Sequence, residues 1–101
     1  MAVVSVAKME KACEEVCVIL KALSHPQRLM VMGHLVQGPK TVSDLVDLCD
    51  VSQSQMSTFL MRMSAEGLVR AEKRGKFKFY SVADRRLVLL IKAIQDQYCH
   101  R

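Results

Sequence analysis

Thr41-Val-Ser-Asp-Leu-Val-Asp-Leu-Cys-Asp-Val-Ser-Gln-Ser-Gln-Met-Ser-Thr-Phe-Leu-Met-Arg-Met-Ser-Ala-Glu66 is the stretch from which the fold is read. Thr41 is followed three residues on by Asp44, and Ser52 by Gln55, so each hydroxyl and its partner can close a capping box at a helix start. After the first cap Val42, Leu45, Val46 and Cys49 recur at steps of three and four; after the second, Met56, Phe59, Leu60 and Met63 do the same. That period makes an α-helix with one apolar side. Only Asp50 and Val51 separate the first stripe from the second cap, so the two short helices form a helix-turn-helix. The second helix of such a unit fits a DNA major groove about 12 Å wide. Subtracting the apolar stripe leaves Gln53, Ser54, Gln55, Ser57, Thr58, Met61 and Arg62 facing outward, with Ser52 at the cap. These hydroxyls and amides suit base edges and phosphates, and no acid falls between Ser52 and Glu66.

Downstream, Gly67 supplies a helix stop. The period then drops to two: Leu68 to Lys73 and Phe77 to Val82 are extended runs separated by Arg74-Gly75-Lys76, which reads as a β-hairpin with a cationic tip. A helix-turn-helix followed at once by such a hairpin is a winged helix. Lys73, Arg74, Lys76 and Lys78 of the wing would lie along the DNA backbone or enter the adjacent minor groove. Which aromatic of Phe77, Phe79 and Tyr80 faces the core stays open, because the second run alternates imperfectly.

Upstream, Met9, Ala12, Cys13, Val16, Ile19, Leu20 and Leu23 form the stripe of an amphipathic helix over roughly residues 6–23. Ser24-His25-Pro26-Gln27 places a hydroxyl at a cap and Pro in the first turn of a second helix, with Leu29, Met32, Leu35 and Val36 inward and Gly38-Pro39 ending it. A last helix runs from about Asp84 to Tyr98, carrying Leu87, Leu90, Ile91, Ile94 and Tyr98 on one stripe, widened by Val88, Leu89 and Ala93. So broad an apolar surface is covered either by the first or last helix of a second subunit or by wrapping the monomer core. The fold class is therefore mainly α with a small β-hairpin, one winged helix-turn-helix domain over residues 1–101.

Composition bounds the rest. The chain has 101 residues, 50% apolar and 25% charged, enough for one core and too few for two. No apolar run approaches 18 residues, and Ala2 to Ala7 gives way at once to Lys8, Glu10 and Lys11, which argues against a membrane span and a signal peptide. Four cysteines without secretory features read as reduced thiols in the cytoplasm. Residues 1–50 carry five basic and six acidic side chains, whereas residues 51–101 carry ten and four. The second half is thus built to face a polyanion. Three scattered histidines (25, 34 and 100), without a nucleophile elbow or a phosphate-cradling Gly loop, leave enzyme chemistry little support.

From Leu20 to Cys99 the chain resembles the ArsR/SmtB family of winged-helix repressors. Leu20-Lys-Ala-Leu-Ser-His-Pro-Gln-Arg-Leu29 is similar to the family's second-helix entry, and Val51-Ser-Gln-Ser54 through Ser57 and Leu60 to its recognition-helix opening. Glu66-Gly-Leu-Val69 and Tyr80-Ser-Val82 match the passages into and out of the wing. The resemblance implies a homodimer joined by the first and last helices, bound to a palindromic double-stranded operator and released by an inducer, with no cofactor. Thr58 and Phe59 stand where relatives often carry Gln and His, so the operator sequence does not transfer.

The family's inducer sites are matched unevenly. Its last-helix zinc site falls on Asp84, Arg86, Gln97 and His100, with a cation at the second ligand position. Its third-helix thiol site falls on Asp47-Leu-Cys-Asp50, one thiolate short. The end of the last helix, Gln97-Tyr-Cys99, resembles the branch that senses redox state or reactive sulfur through two cysteines, but the second-helix partner is replaced by Gly33. Cys99 is the first candidate sensor thiol. Cys13 and Cys17, four apart on the first helix, are either replacement partners for it or small interface hydrophobes. The alternative functions are a metal- or metalloid-responsive repressor using Cys and His ligands such as His34 and His100, and a regulator without an inducer site.

Overall fold

The computed structural model describes residues 5–99. Its elements follow the sequence order α1 (Val6–Leu23), α2 (Pro26–Leu35), α3 (Val42–Leu48), α4 (Gln53–Ala65), β1 (Val69–Arg74), β2 (Phe77–Val82) and α5 (Arg85–Tyr98). The core lies where α2, α3 and α4 meet the hairpin and the inner side of α5. Val31, Met32, Leu45, Met56, Leu60 and Met63 are sealed there completely, with Leu68, Leu87 and Ile91 beside them.

Local chemistry explains the boundaries. Both capping boxes are present: Thr41 Oγ1 accepts from Asp44 N while Asp44 Oδ2 accepts from Thr41 N, and Ser52 and Gln55 do the same for α4. The C-terminus of α4 closes with Leu68 N donating to Met63 O and Gly67 N to Ser64 O, a Schellman motif whose left-handed position is taken by Gly67 at φ 78°. The start of α2 differs from expectation. Its cap is His25, whose Nδ1 accepts from Gln27 N at 3.2 Å, while Ser24 caps the end of α1 by donating from Oγ to Lys21 O. Pro26 holds the first helical position and drives the residue before it into extended backbone, so the cap moves to His25.

In the hairpin Val69 pairs with Val82, Ala71 with Tyr80, Lys73 with Lys78 and Arg74 with Phe77. Arg74 therefore belongs to the strand, and the turn is only Gly75-Lys76. Gly75 has φ 62° and no other described residue of the turn is positive, the type II′ pattern that suits a two-residue hairpin. Tyr80 is the ring that enters the core, Phe79 is half-buried and Phe77 is exposed. Tyr80 also exchanges both backbone hydrogen bonds with Lys40, which fastens the segment after α2 to the wing.

Helix α1 is the second departure. Of its stripe only Leu23, with neighbouring Ala22, is buried, while Met9, Cys13 and Leu20 are exposed. On α5, Leu87 and Ile91 face the core, but Leu89 is 57% and Tyr98 86% exposed. The radius of gyration, 14.8 Å, exceeds the roughly 13 Å of a closed 100-residue globule. A single subunit leaves one side of each terminal helix without cover, while Ala22, Leu23, Leu87 and Ile91 pack into the core.

Candidate nucleic-acid interface

Helix α4 turns Met56, Leu60 and Met63 into the core and leaves Gln53, Ser54, Gln55, Ser57, Thr58, Met61 and Arg62 exposed. Their hydrogen-bonding capacity is not equal. Gln55 Oε1 is committed to Ser52 N, Ser52 Oγ approaches Ser54 Oγ at 3.3 Å, and Thr58 Oγ1 donates to Ser54 O at 2.9 Å. The side chains of Gln53, Ser57 and Arg62 make no hydrogen bond among the described residues, so their polar ends are free. Sequence periodicity showed which residues face outward. It did not show that Gln55 and Thr58 partly serve their own helix.

The wing continues this surface with positive charge. Arg74 donates to Glu72 at 3.0 Å and lies over the Phe79 ring at 5.3 Å, and Lys78 lies 5.7 Å from the Tyr80 centroid. Lys76 occupies the turn, and Lys73 stands directly across the sheet from Lys78. The two acids of this region are both turned toward arginines, Glu72 to Arg74 and Glu66 to Arg28 at 3.6 Å. The charge that remains outward is cationic, beside the exposed Phe77 ring.

Phe59 is placed by structure rather than by the outer-face reading. It is half-buried, meets the His25 ring edge-on at 5.4 Å and lies 5.8 Å from the Arg28 guanidinium. With the Arg28–Glu66 pair, these contacts fasten the middle and the C-terminal end of α4 to the start of α2. Neither His25 nor Arg28 was singled out from sequence, because their role depends on which residue α4 brings beside them.

All four cysteines are free. Cys49 is half-buried, and burial pushes its thiol above the ordinary value, the mark of a core thiol. Cys13 and Cys17 are exposed on α1, and the Cys17 thiol is held up first by its hydrogen bond with Cys13. Cys99 opens onto a cavity of about 250 Å³ between α2 and α5, lined also by Met30, Gly33, His34, Ile94 and Gln95. A Cβ placed on Gly33 would meet only Gln95 Nε2, at 3.6 Å. Within one subunit the residues lining the cavity come from α2, α5 and the segments directly after them, and none comes from α1.

Arg86, at the second position of the family's last-helix zinc motif, donates to Asp84 and to Glu15 at 3.1 Å. The Asp84 carboxyl is held below its usual range by these hydrogen bonds to Arg86. The guanidinium thereby occupies the acid that a metal would need and ties α5 to α1. His100, the last position of that motif, lies outside the described residues.

Comparison with known proteins decides the family. The family described as bacterial regulatory protein, arsR family, matches residues 25–71. The biofilm growth-associated repressor of Agrobacterium fabrum is 35% identical, over 90% of this chain and 78% of that protein. The chain belongs to the ArsR family. As an ArsR protein it is a DNA-binding transcriptional regulator with a winged helix-turn-helix. The crystal structure of the transcriptional repressor BigR from Xylella fastidiosa superposes with a TM-score of 0.89 at 31% identity, covering 97% of this chain and all of that one. The homodimeric winged helix-turn-helix DNA-binding domain Mb0332 of Mycobacterium bovis matches with a TM-score of 0.72 at 26% identity, over 97% and 93% of the two chains.

Proposed function

We propose that this ArsR protein acts in the cytoplasm as a homodimer that represses transcription from a palindromic operator and releases it when Cys99 is modified by an oxidant or reactive sulfur. The observation that carries DNA binding is the hairpin register. Lys73 and Lys78 face each other across the sheet, an arrangement that destabilises a bare strand pair and that an intervening phosphate relieves. Lys76 at the tip and Arg74 extend the same grip along the backbone. Beside them Gln53, Ser57 and Arg62 reach base edges, while Ser52, Ser54, Gln55 and Thr58 hold the helix start and offer their remaining donors and acceptors to the duplex.

Dimerisation is supported by the terminal helices. Val6, Met9 and Leu20 of α1 and Leu89 and Tyr98 of α5 are apolar and uncovered, and a relative of the same fold is described as homodimeric. Two subunits related by a two-fold axis present two α4 helices, which is why the operator is palindromic. Release is supported by the position of Cys99. A group added to that thiol has the α2–α5 cavity to fill, and it sits between the helix leading into the DNA-reading unit and the helix assigned to the dimer. Exchange with a low-molecular-weight disulfide RSSR leaves Cys99 as a mixed disulfide and liberates RSH, with no further oxidant needed.

Binding to the DNA upstream of its own gene, measured over a range of salt, tests the DNA reading. A dimer neutralising about six phosphates gives a log–log slope near −5; affinity independent of salt overturns it. Treatment of the DNA complex with disulfide or persulfide tests the sensor. Cys99→Ser is expected to abolish release, and release unchanged in that variant removes Cys99 from the mechanism.

A further inference from the structure

We infer that Met61 is a specificity-determining residue of α4 that reads the C5-methyl group of a thymine in the DNA major groove, with Thr58 beside it. This role rests on α4 being the helix that enters the groove, and it needs neither the Cys99 switch nor any particular operator. Ser54, Ser57, Thr58 and Met61 follow one another at steps of one, three and four and are all exposed, so they share one stripe of the helix. Met56, Leu60 and Met63 are sealed in the core on the other side. Met61 is 69% exposed and is the one large apolar side chain that α4 leaves to solvent.

A single exposed apolar side chain is ordinary in itself. What gives this one meaning is its place in the middle of a surface otherwise made of hydroxyls, amides and a guanidinium. A thioether is only a weak acceptor and carries no donor, so Met61 gains little from a phosphate or from the polar edge of a base. Thr58 has turned its hydroxyl back to Ser54 O, at 2.9 Å, which spends its only side-chain donor on its own helix and leaves a methyl to offer. Met61 and Thr58, three residues apart, thus make an apolar spot between Ser57 and Arg62. The bases present mostly hydrogen-bonding groups to the major groove, and the apolar group among them is the thymine C5-methyl. Contact with that methyl is what removes the apolar spot from water. The long, unbranched methionine side chain adapts its rotamers to reach it, while the free ends of Gln53 and Ser57 read polar edges nearby.

The experiment selects a preferred duplex for the full chain from a random pool. Each thymine of that duplex is then replaced singly by deoxyuridine, which deletes the methyl and keeps every hydrogen-bonding group of the base. One position in each half-site is expected to lose about fourfold in affinity, the scale of one buried methyl group. Met61→Ala should bind the thymine and deoxyuridine duplexes equally, and Thr58→Ser, which keeps the hydroxyl and drops the methyl, should reduce the same dependence at the same position. Because Met61 is exposed, an unfolding midpoint that does not fall in Met61→Ala ties the change to DNA. The inference is overturned if no thymine methyl affects binding, or if the dependence persists unchanged in Met61→Ala. Gln53→Ala and Ser57→Ala separate the two levels. If they alter sequence preference while deoxyuridine has no effect, α4 reads the groove without Met61; if no α4 variant alters preference, α4 is not the reading helix and the role of Met61 falls with it.

Discussion

The α3–α4–hairpin part of the molecule and the α1–α5 part are both largely exposed, yet they are exposed in different ways. The first has a closed core behind it, with Leu45, Met56, Leu60 and Met63 sealed, and shows solvent a mostly polar and cationic surface on which Leu48, Met61 and Phe77 are separate apolar side chains. The second shows solvent Val6, Met9, Leu20, Leu89 and Tyr98. Exposure is thus complete in itself on one side and incomplete on the other. The lesson is that a surface built for a hydrated polyanion and a surface built for another protein differ in chemistry even where their exposure is alike.

The largest expected effect tests the closed side. Leu60→Ala removes a fully buried side chain of α4 and should cost about 3 kcal/mol in denaturant unfolding. A loss under about 1 kcal/mol, the scale of a surface change, would mean that α4 is not seated on a closed core. On the open side, Leu89→Lys should leave the fold intact but convert the protein to monomers in sedimentation, weakening operator binding by about a hundredfold as the second half-site contact is lost. A variant that remains dimeric would erase the contrast by showing that α5 is not the covered face.

Smaller effects sharpen it. Ser52→Ala should cost about 1 kcal/mol through loss of the α4 cap, and weakened DNA binding beyond that stability change would mark a direct contact of Ser52. Lys76→Ala should reduce affinity for every sequence alike and flatten the salt slope by about one unit per subunit; a change of sequence preference instead would move Lys76 from backbone to bases. The least effect belongs to Asp44, whose carboxyl is held below its usual range chiefly by the Thr41 backbone N–H. Its folded value is depressed, so its contribution is present above the unfolded value and fades as pH falls through the folded one. Asp44→Asn should therefore lose part of the acid-side pH dependence of stability and little else.

A separate variant addresses the sensor. Gly33→Cys puts a thiol on the α2 wall of the cavity that Cys99 opens onto, in space the parent leaves free. Oxidation should then join it to Cys99, detected as a mass loss of two hydrogens that Cys99→Ser prevents.

Element order was legible in residue patterns because each signal is local. The Thr41/Asp44 and Ser52/Gln55 boxes, Gly67 and the Gly75 turn act on their own few residues, and helix and strand periods report which side of an element is apolar. The α2 cap was misread because Ser24 and His25 both offer an acceptor, and only the backbone imposed by Pro26 chooses between them. The outward list for α4 was right in membership, but it could not separate the free ends of Gln53, Ser57 and Arg62 from the engaged Gln55 and Thr58, since hydrogen bonds depend on rotamers.

Sequence by itself determined the winged helix-turn-helix and the cationic wing, since capping, periodicity and charge are carried by neighbours along the chain; that Gly33 replaces a second-helix thiol followed from the family resemblance alone. Only the tertiary structure decided that Phe59 is clasped by His25 and Arg28, that Arg86 bridges Glu15 and Asp84, and that Gly33 and Cys99 share a cavity. It also showed how little of α1 its own subunit covers. Those facts join residues far apart in sequence, and their distances exist only once the helices have packed.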